Sequence, residues 1–139
     1  MQFVAILLAT VFALIAGLHI FWGLGGRWGG SAAVPKLADG QPLFVPGIAA
    51  CFVVASGLGA FAFVCLSHAG LTSWPFSRLS SGHALWVMAA IFLARTVGDF
   101  RYFGLARRVT GTDFARLDRI FYTPLCAGLS LMLAWLAAR

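Results

Sequence analysis

A short charged stretch, residues 95–102, carries the side chains that are best suited to chemistry in this sequence. It places Asp99 between Arg95 and Arg101 near the end of an apolar run, with Tyr102 directly after them. The whole chain has only four acidic residues and no glutamate. Placing ionisable groups inside or beside a hydrocarbon layer costs free energy, so we take this stretch as the first candidate for a functional site.

Arg95 and Asp99 are four residues apart, a spacing that puts both on one face of a helix, and Tyr102 can join that face. In a functional site Asp99 would handle a proton, and Arg95 or Arg101 would hold an anionic head or stabilise developing charge. In a purely structural pair the two charges would only make each other's burial tolerable. The sequence leaves both interpretations open.

Two further groups of polar residues border apolar runs. His19 lies at the end of the first run, where it could shuttle a proton, bind a ligand or only hydrogen-bond a neighbouring helix. Asp118 stands at the start of the last run and could pair with Arg95 or Arg101. His19 and Asp99 are therefore the catalytic candidates. The candidates for ligand binding are Trp22, Arg95, Arg101, Tyr102, Asp118 and Tyr122.

The composition identifies an integral membrane protein with a single domain, residues 1–139. The chain is 61% hydrophobic and 10% charged, with a mean hydropathy of +0.93. Soluble domains carry about 25% charged residues, so this chain cannot cover a soluble surface. The net charge of +6 does not indicate nucleic acid, because the arginines lie at the ends of apolar segments, where they set topology and meet anionic headgroups.

The cysteine and histidine pattern predicts neither a metal nor another cofactor. Cys51, Cys65 and Cys126 all fall in apolar segments and form no CxxC pair or zinc-type spacing. The three cysteines are expected to pack between helices as small hydrophobic residues. His19 and His83 are expected at opposite membrane faces, which argues against a haem held by two histidines.

Four apolar stretches are long enough to cross the hydrocarbon core, which takes about 20 residues. They are residues 3–24, 46–66, 83–103 and about 120–138. The fold class is therefore an all-α transmembrane bundle of four helices. Before the fourth span, Thr112 could cap a short interfacial helix that precedes a restart at Pro124. Alternatively the helix is continuous and kinked by Pro124.

The basic residues predict the orientation of the spans. The first and third connections carry most of them and are expected in the cytoplasm, which puts both termini outside. The polar ends of the first, third and fourth spans then converge at the cytoplasmic leaflet. The residues counted on the cytoplasmic side are Arg27, Lys36, Arg107, Arg108, Arg116 and Arg119, against Arg78 and Arg139 on the other side.

Two functions of different kinds fit this arrangement. A lipid-like or other amphiphilic molecule could lie between the helices with its polar end at the charged cluster, bound or chemically altered there. Alternatively the protein is a non-catalytic accessory or assembly subunit that docks a membrane partner, or a second copy, through small residues of the second span at positions 55–60. A proton-coupled carrier is disfavoured, because the outer half of the path lacks charges.

Three sequence blocks resemble a known family: residues 18–29 (LHIFWGLGGRWG), 95–104 (RTVGDFRYFG) and 114–126 (FARLDRIFYTPLC). They are similar to a bacterial family of small four-span membrane proteins catalogued as domain of unknown function 3995. The resemblance extends over nearly the whole chain. It implies a multi-pass protein of the bacterial inner membrane, and it implies no particular activity.

Overall fold

The protein is built from helices, and the computed structural model describes residues 1–75 and 80–139. Arg78, which is expected on the outer side, lies outside the described residues. The helices are α1 (Gln2–Gly23), α2 (Gly30–Ala33), α3 (Ile48–His68), α4 (Ser81–Val97), α5 (Asp113–Leu117), a π-helical turn (Asp118–Tyr122) and α6 (Thr123–Ala137).

Three helical segments are long and apolar enough to cross a membrane: α1, α3 and the continuous run Asp113–Ala137. The remaining long helix, α4, is apolar but has only 17 residues. Large apolar side chains point outward from these helices, among them Phe3, Val53 and Leu131. Helices that are apolar on their outer faces as well as their inner ones are typical of a membrane protein.

The helices pack as two pairs, α1 with α3 and α4 with α6. Rings from three helices join the pairs, because Phe12 of α1 lies 5.8 Å from Phe61 of α3 and 5.5 Å from Phe92 of α4, centroid to centroid. In the second pair, the Ser130 hydroxyl donates to the Ala89 carbonyl oxygen at 2.8 Å. The fully buried core includes Leu8, Leu85, Leu129, Leu133 and Leu136.

Helix α4 ends at Val97, six residues before the predicted end of the third span. Gly98 has a φ of +94°, a conformation that L side chains rarely adopt. The chain then folds back, and Leu105 N–H donates to the Thr96 carbonyl oxygen at 2.8 Å. The apolar residues that extended the predicted span therefore belong to a compact turn. The prediction that Arg95 and Asp99 share a helix face is wrong, because Asp99 follows the end of the helix.

The last helical run is continuous from Asp113 to Ala137. Thr112 caps it, its hydroxyl accepting the Ala115 N–H at 3.1 Å. The π-helical turn joins α5 directly to α6, and Pro124 sits in the first turn of α6, where its missing N–H breaks no bond. The structure thus agrees with the continuous helix. It contradicts a separate interfacial helix, and the irregularity is a π-helical turn at Asp118.

Candidate functional site

The carboxylate of Asp118 is fully buried and lies at the centre of a polar network. Its Oδ1 accepts from Arg95 Nη2 at 2.7 Å. Its Oδ2 accepts from Gly104 N–H and Arg107 Nη1, both at 2.8 Å, and from Thr123 Oγ1 at 3.1 Å. These five residues are called the Asp118 network below. It joins α4, the connection after α4 and the start of α6.

The π-helical turn explains how Asp118 reaches these partners. The Thr123 backbone N–H donates to the Asp118 carbonyl oxygen, five residues back, and the Thr123 hydroxyl donates to the Asp118 carboxylate. Such turns insert one extra residue into a helix and occur frequently at functional sites. The inserted residue lets Asp118 face α4 while the helix continues past it. The hypothesis that Asp118 pairs with Arg95 is confirmed.

Arg95 is held from two sides. Besides its bond to Asp118, its guanidinium carbon lies 4.4 Å from the centroid of the Phe103 ring, within cation–π range. Its side chain is 29% exposed. Its second terminal nitrogen, Nη1, is nevertheless buried and has no hydrogen-bond acceptor among the described residues. A buried donor without an acceptor is uncommon in folded proteins and calls for a physical reason.

Arg107 contributes the second guanidinium of the network. Its side chain is only 6% exposed, and Nη1 donates to the Gly104 carbonyl oxygen as well as to Asp118. Two guanidinium groups therefore share one carboxylate, which leaves the network with a net charge of +1. Buried charges are costly unless paired and hydrogen-bonded. The network is thus well placed to attract an additional anionic or electron-rich group.

The connection after α4 is shaped by Gly98 and Asp99. The carboxylate Oδ1 of Asp99 accepts the backbone N–H groups of Arg101, Tyr102 and Phe103 at 2.7–3.1 Å. Burial acts to raise the pKa of Asp99, but these backbone hydrogen bonds outweigh it and lower the pKa below its ordinary value. Asp99 therefore stabilises a turn as a carboxylate, and its proton affinity is low for a general base.

Arg101 and Tyr102 lie in the same turn, and among the described residues no hydrogen bond or ion pair joins them to the carboxylate of Asp118. The guanidinium of Arg101 stands 5.2 Å from the Tyr102 ring centroid. The Arg101 carbonyl oxygen accepts the N–H groups of Arg108 and Val109, both at 3.0 Å. Among the described side chains Asp118 pairs with Arg95 and Arg107, so the alternative pairing with Arg101 is not formed.

His19 and Trp22 make their contacts within the first helix and the connection after it. The Nδ1 of His19 donates to the Ile15 carbonyl oxygen at 2.8 Å, and its ring lies edge-on to Trp22 at 5.0 Å. Trp22 Nε1 donates to the Trp28 carbonyl oxygen at 2.8 Å. Across the described residues, no hydrogen bond or ring contact joins this pair to the Asp118 network.

Tyr122 lies where the first connection meets the last helical run. Its hydroxyl donates to the Ala32 carbonyl oxygen at 3.3 Å. Close by, Lys36 Nζ lies 3.7 Å from Asp113 Oδ2. The first and third connections therefore lie at the same end of the bundle. This is the relative arrangement that the sequence predicted for them.

A groove of about 370 Å³ borders the network on the side of Arg107. Three arginines and one exposed apolar side chain line it, and it is called the basic groove below. Its lining residues are Arg107, Thr110, Ala115, Arg116, Arg119 and Ile120. Among the residues that the structure describes, no three His, Cys, Asp or Glu side chains come together as a metal site requires.

The comparison with protein families decides what kind of chain this is. The model of a family described as "Protein of unknown function (DUF3995)" matches residues 12–133. The chain belongs to the DUF3995 family. Neither the curated proteins nor the solved structures compared with it include a match.

The DUF3995 match runs from the middle of α1 into the last turns of α6, so it includes all of the Asp118 network. Arg95 and Asp118 were predicted from the sequence as site residues, whereas Gly104, Arg107 and Thr123 were not. Arg107 was counted only as a topology signal, because it stands among other loop arginines. Thr123 is a polar residue five positions after Asp118, and this spacing was the available signal. It brings the hydroxyl to the Asp118 carboxylate only when the turn between them is π-helical.

Proposed function

We propose that this DUF3995 protein binds an amphiphilic small molecule in a bacterial inner membrane, with the polar end of the molecule at the Asp118 network. The observation that carries the proposal is the buried, unpaired Nη1 of Arg95 in a network of net charge +1. An oxygen of a bound headgroup would accept from that nitrogen. It would also offset the excess positive charge.

Binding fits the geometry better than proton transfer does. The Asp118 carboxylate already accepts four hydrogen bonds, and Asp99 accepts three. The backbone hydrogen bonds lower the pKa of Asp99, whereas a general base needs a pKa near the working pH. The arginines, by contrast, keep donor capacity for an anionic or carbonyl-bearing head.

The proposal includes four spans with the network near the cytoplasmic leaflet. At 1.5 Å per residue, α4 is about 25 Å long, which is at the short end for a spanning helix. The network ties the end of α4 to the connection after it, so it lies at one end of the bundle rather than at its centre. The first and third connections, which carry most of the basic residues, meet at that end, and basic connections favour the cytoplasmic side.

The test is substitution of Arg95 by Lys, because lysine keeps a charged donor for Asp118 and removes the unpaired nitrogen. The protein would be purified in mild detergent and examined by native mass spectrometry for retained small molecules. We expect the wild type to retain an amphiphile and Arg95→Lys to lose most of it. Arg139→Lys is the matched control, because Arg139 lies at the other end of α6 on the Trp135 ring.

Two results would contradict the proposal. One is a wild type that retains no amphiphile, even when extracted directly from membranes. The other is an Arg95→Lys variant that binds as well as Arg139→Lys while both keep the wild-type melting temperature. Loss of folding in Arg95→Lys would be detected by that same melting measurement. In that case Arg95→Gln would be compared with Arg139→Lys instead, since the Gln side chain keeps an amide donor without the charge.

A second candidate function is assembly with another membrane protein or with a second copy of this chain. It is favoured by α3, the least buried of the three long helical segments. A Cβ added at Gly57 or Gly59 would meet no atom within 4 Å, so this small-residue face is open. Small residues let helices approach closely in membranes. Native mass spectra of wild type and Gly57→Leu would test it, the variant being expected to lose the partner.

A further inference from the structure

The basic groove is a concave surface lined by three arginines, and it borders the Asp118 network at Arg107. Arg107, Arg116 and Arg119 all line it. Two carboxylates of the same helical run are already engaged, since Asp118 is shared by Arg95 and Arg107, and Asp113 lies beside Lys36. Among the described residues no carboxylate pairs with Arg116 or Arg119, so these two arginines give the groove positive charge.

We infer that the basic groove binds the phosphate of an anionic phospholipid. This inference rests on the proposed function, because it names the headgroup chemistry of the amphiphile. Guanidinium groups present planar pairs of N–H donors that match phosphate oxygens. The cavity volume of about 370 Å³ falls in the range of small-molecule sites.

The surroundings of the groove favour a lipid over a soluble phosphate ester. Ile120 lines the groove and is 65% exposed, and its neighbour Phe121 is 57% exposed. Both belong to the helical run that continues into the apolar α6. A phosphate held by Arg116 and Arg119 would thus have apolar surface next to it along which acyl chains can lie. Basic residues at this position attract anionic lipids by about 1 kcal/mol each.

Arg107 connects the groove to the rest of the site. It lines the groove, and its Nη1 is bonded to the Asp118 carboxylate at 2.8 Å. Its position is therefore fixed, whereas Arg116 and Arg119 are exposed and free to adjust to a headgroup. A fixed arginine with two mobile ones gives the groove one defined contact and two adaptable contacts.

The experiment compares two double variants that remove the same charge. Arg116→Gln/Arg119→Gln removes two groove arginines, and Arg27→Gln/Arg108→Gln removes two exposed arginines that do not line it. Each delipidated protein would be titrated in detergent with phosphatidylglycerol and with phosphatidylcholine, and bound lipid would be counted by native mass spectrometry. We expect the groove variant to lose roughly 30-fold in its preference for phosphatidylglycerol and the control to keep most of it.

Equal losses in the two double variants would overturn the inference, because they would show a general attraction of positive charge. No loss in either variant would overturn it as well. Inorganic phosphate is the second probe. We expect excess phosphate to displace phosphatidylglycerol only weakly, and complete displacement at similar concentrations would show a site for free phosphate instead of a lipid.

The outcomes separate this inference from the proposed function. A protein that binds no amphiphile in any form fails both. If amphiphile binding depends on Arg95 but not on Arg116 and Arg119, the proposed function is supported and the inference about the basic groove is contradicted. Melting temperatures of both double variants are expected to match the wild type, since Arg116 and Arg119 make no ion pair within the described chain.

Discussion

Gly98 and Gly104 lie in backbone contact, and this contact brings the end of α4 against the connection that carries Arg107. A Cβ built on Gly104 would lie 2.6 Å from the Gly98 nitrogen. Both glycines have positive φ, +94° and +82°. The close approach directs the Gly104 N–H to Asp118, at 2.8 Å. Two residues without side chains thus position a buried ion network.

Substituting Gly104 by Ala is therefore expected to be strongly destabilising. The new methyl group would collide with backbone, and the positive φ alone costs about 1–3 kcal/mol for a residue with a side chain. Thermal unfolding in detergent measures the loss. Gly111→Ala is the control, because a Cβ there meets nothing within 4 Å. Equal melting temperatures for the two variants would show that the contact has no structural role.

Replacing Asp118 by Asn should cost about 3–5 kcal/mol of stability, because two largely buried guanidinium groups would lose their only carboxylate. The measurement is denaturant or thermal unfolding of the purified protein. Asp113→Asn is the matched comparison, since Asp113 is exposed and its ion pair with Lys36 spans 3.7 Å. Exposed pairs contribute about 0–1 kcal/mol. A small effect at Asp118 would mean that the arginines find other partners.

The turn held by Asp99 predicts a dependence of stability on pH. Its pKa is lower in the folded protein than in the unfolded chain, so its stabilising effect is complete above the ordinary aspartate pKa, about 3.9. The effect is lost as the pH falls from there through the folded pKa. We expect wild type to melt above Asp99→Asn at pH 7 and the difference to shrink in acid.

Because Asp39, Asp113 and Asp118 are present in both proteins, their titration contributes to both melting curves. The difference between wild type and Asp99→Asn therefore reports Asp99. A difference that stays constant from neutral pH down through the acid range would contradict the role of the charged carboxylate. A difference that grows in acid would reverse the sign of the pKa shift.

The proposed orientation predicts which surfaces a membrane-impermeant thiol reagent reaches. Ser31, Ser73 and Gly111 are exposed and lie in three different connections. We expect Ser31→Cys and Gly111→Cys to react only in inverted vesicles, and Ser73→Cys to react in intact cells. The wild type, whose three cysteines all lie in helices, measures background labelling. Labelling of positions 31 and 111 from opposite sides would contradict the arrangement.

The apolar runs were sufficient to predict the long helices, because their length and hydropathy allow few alternatives in a membrane. They failed at the end of α4, where Phe100, Tyr102 and Phe103 continue the apolar run although the backbone has turned at Gly98. Composition averages over such a turn, whereas a positive φ is set by one residue and its tertiary contacts. The position at which α4 ends could therefore not be predicted from composition.

The site was predicted in part. Because the chain has few charged residues, Arg95 and Asp118 could be selected as candidates from the sequence. The order of the spans predicted that they approach each other. The role of Arg107 could not be predicted, because its partner is chosen by the fold of a connection. Asp99 was predicted to lie on the helix face of Arg95, whereas it lies in the turn after α4. The fold of that connection decides this as well, because a carboxylate can accept backbone N–H groups wherever a turn presents them.

The Asp118 network also bears on how the chain is made. Asp118 follows Arg95 by 23 residues, so during synthesis α4 emerges with its arginine before the matching carboxylate exists. An arginine disfavours insertion of a membrane helix by about 2.5–3.5 kcal/mol at the helix centre and by less near a helix end, where Arg95 lies. In the proposed four-span arrangement, this pairing favours insertion of α4 and the last helical run together, as a hairpin. In that arrangement, a nascent chain arrested before Asp113 is expected to hold α4 less firmly in the bilayer than the finished protein does.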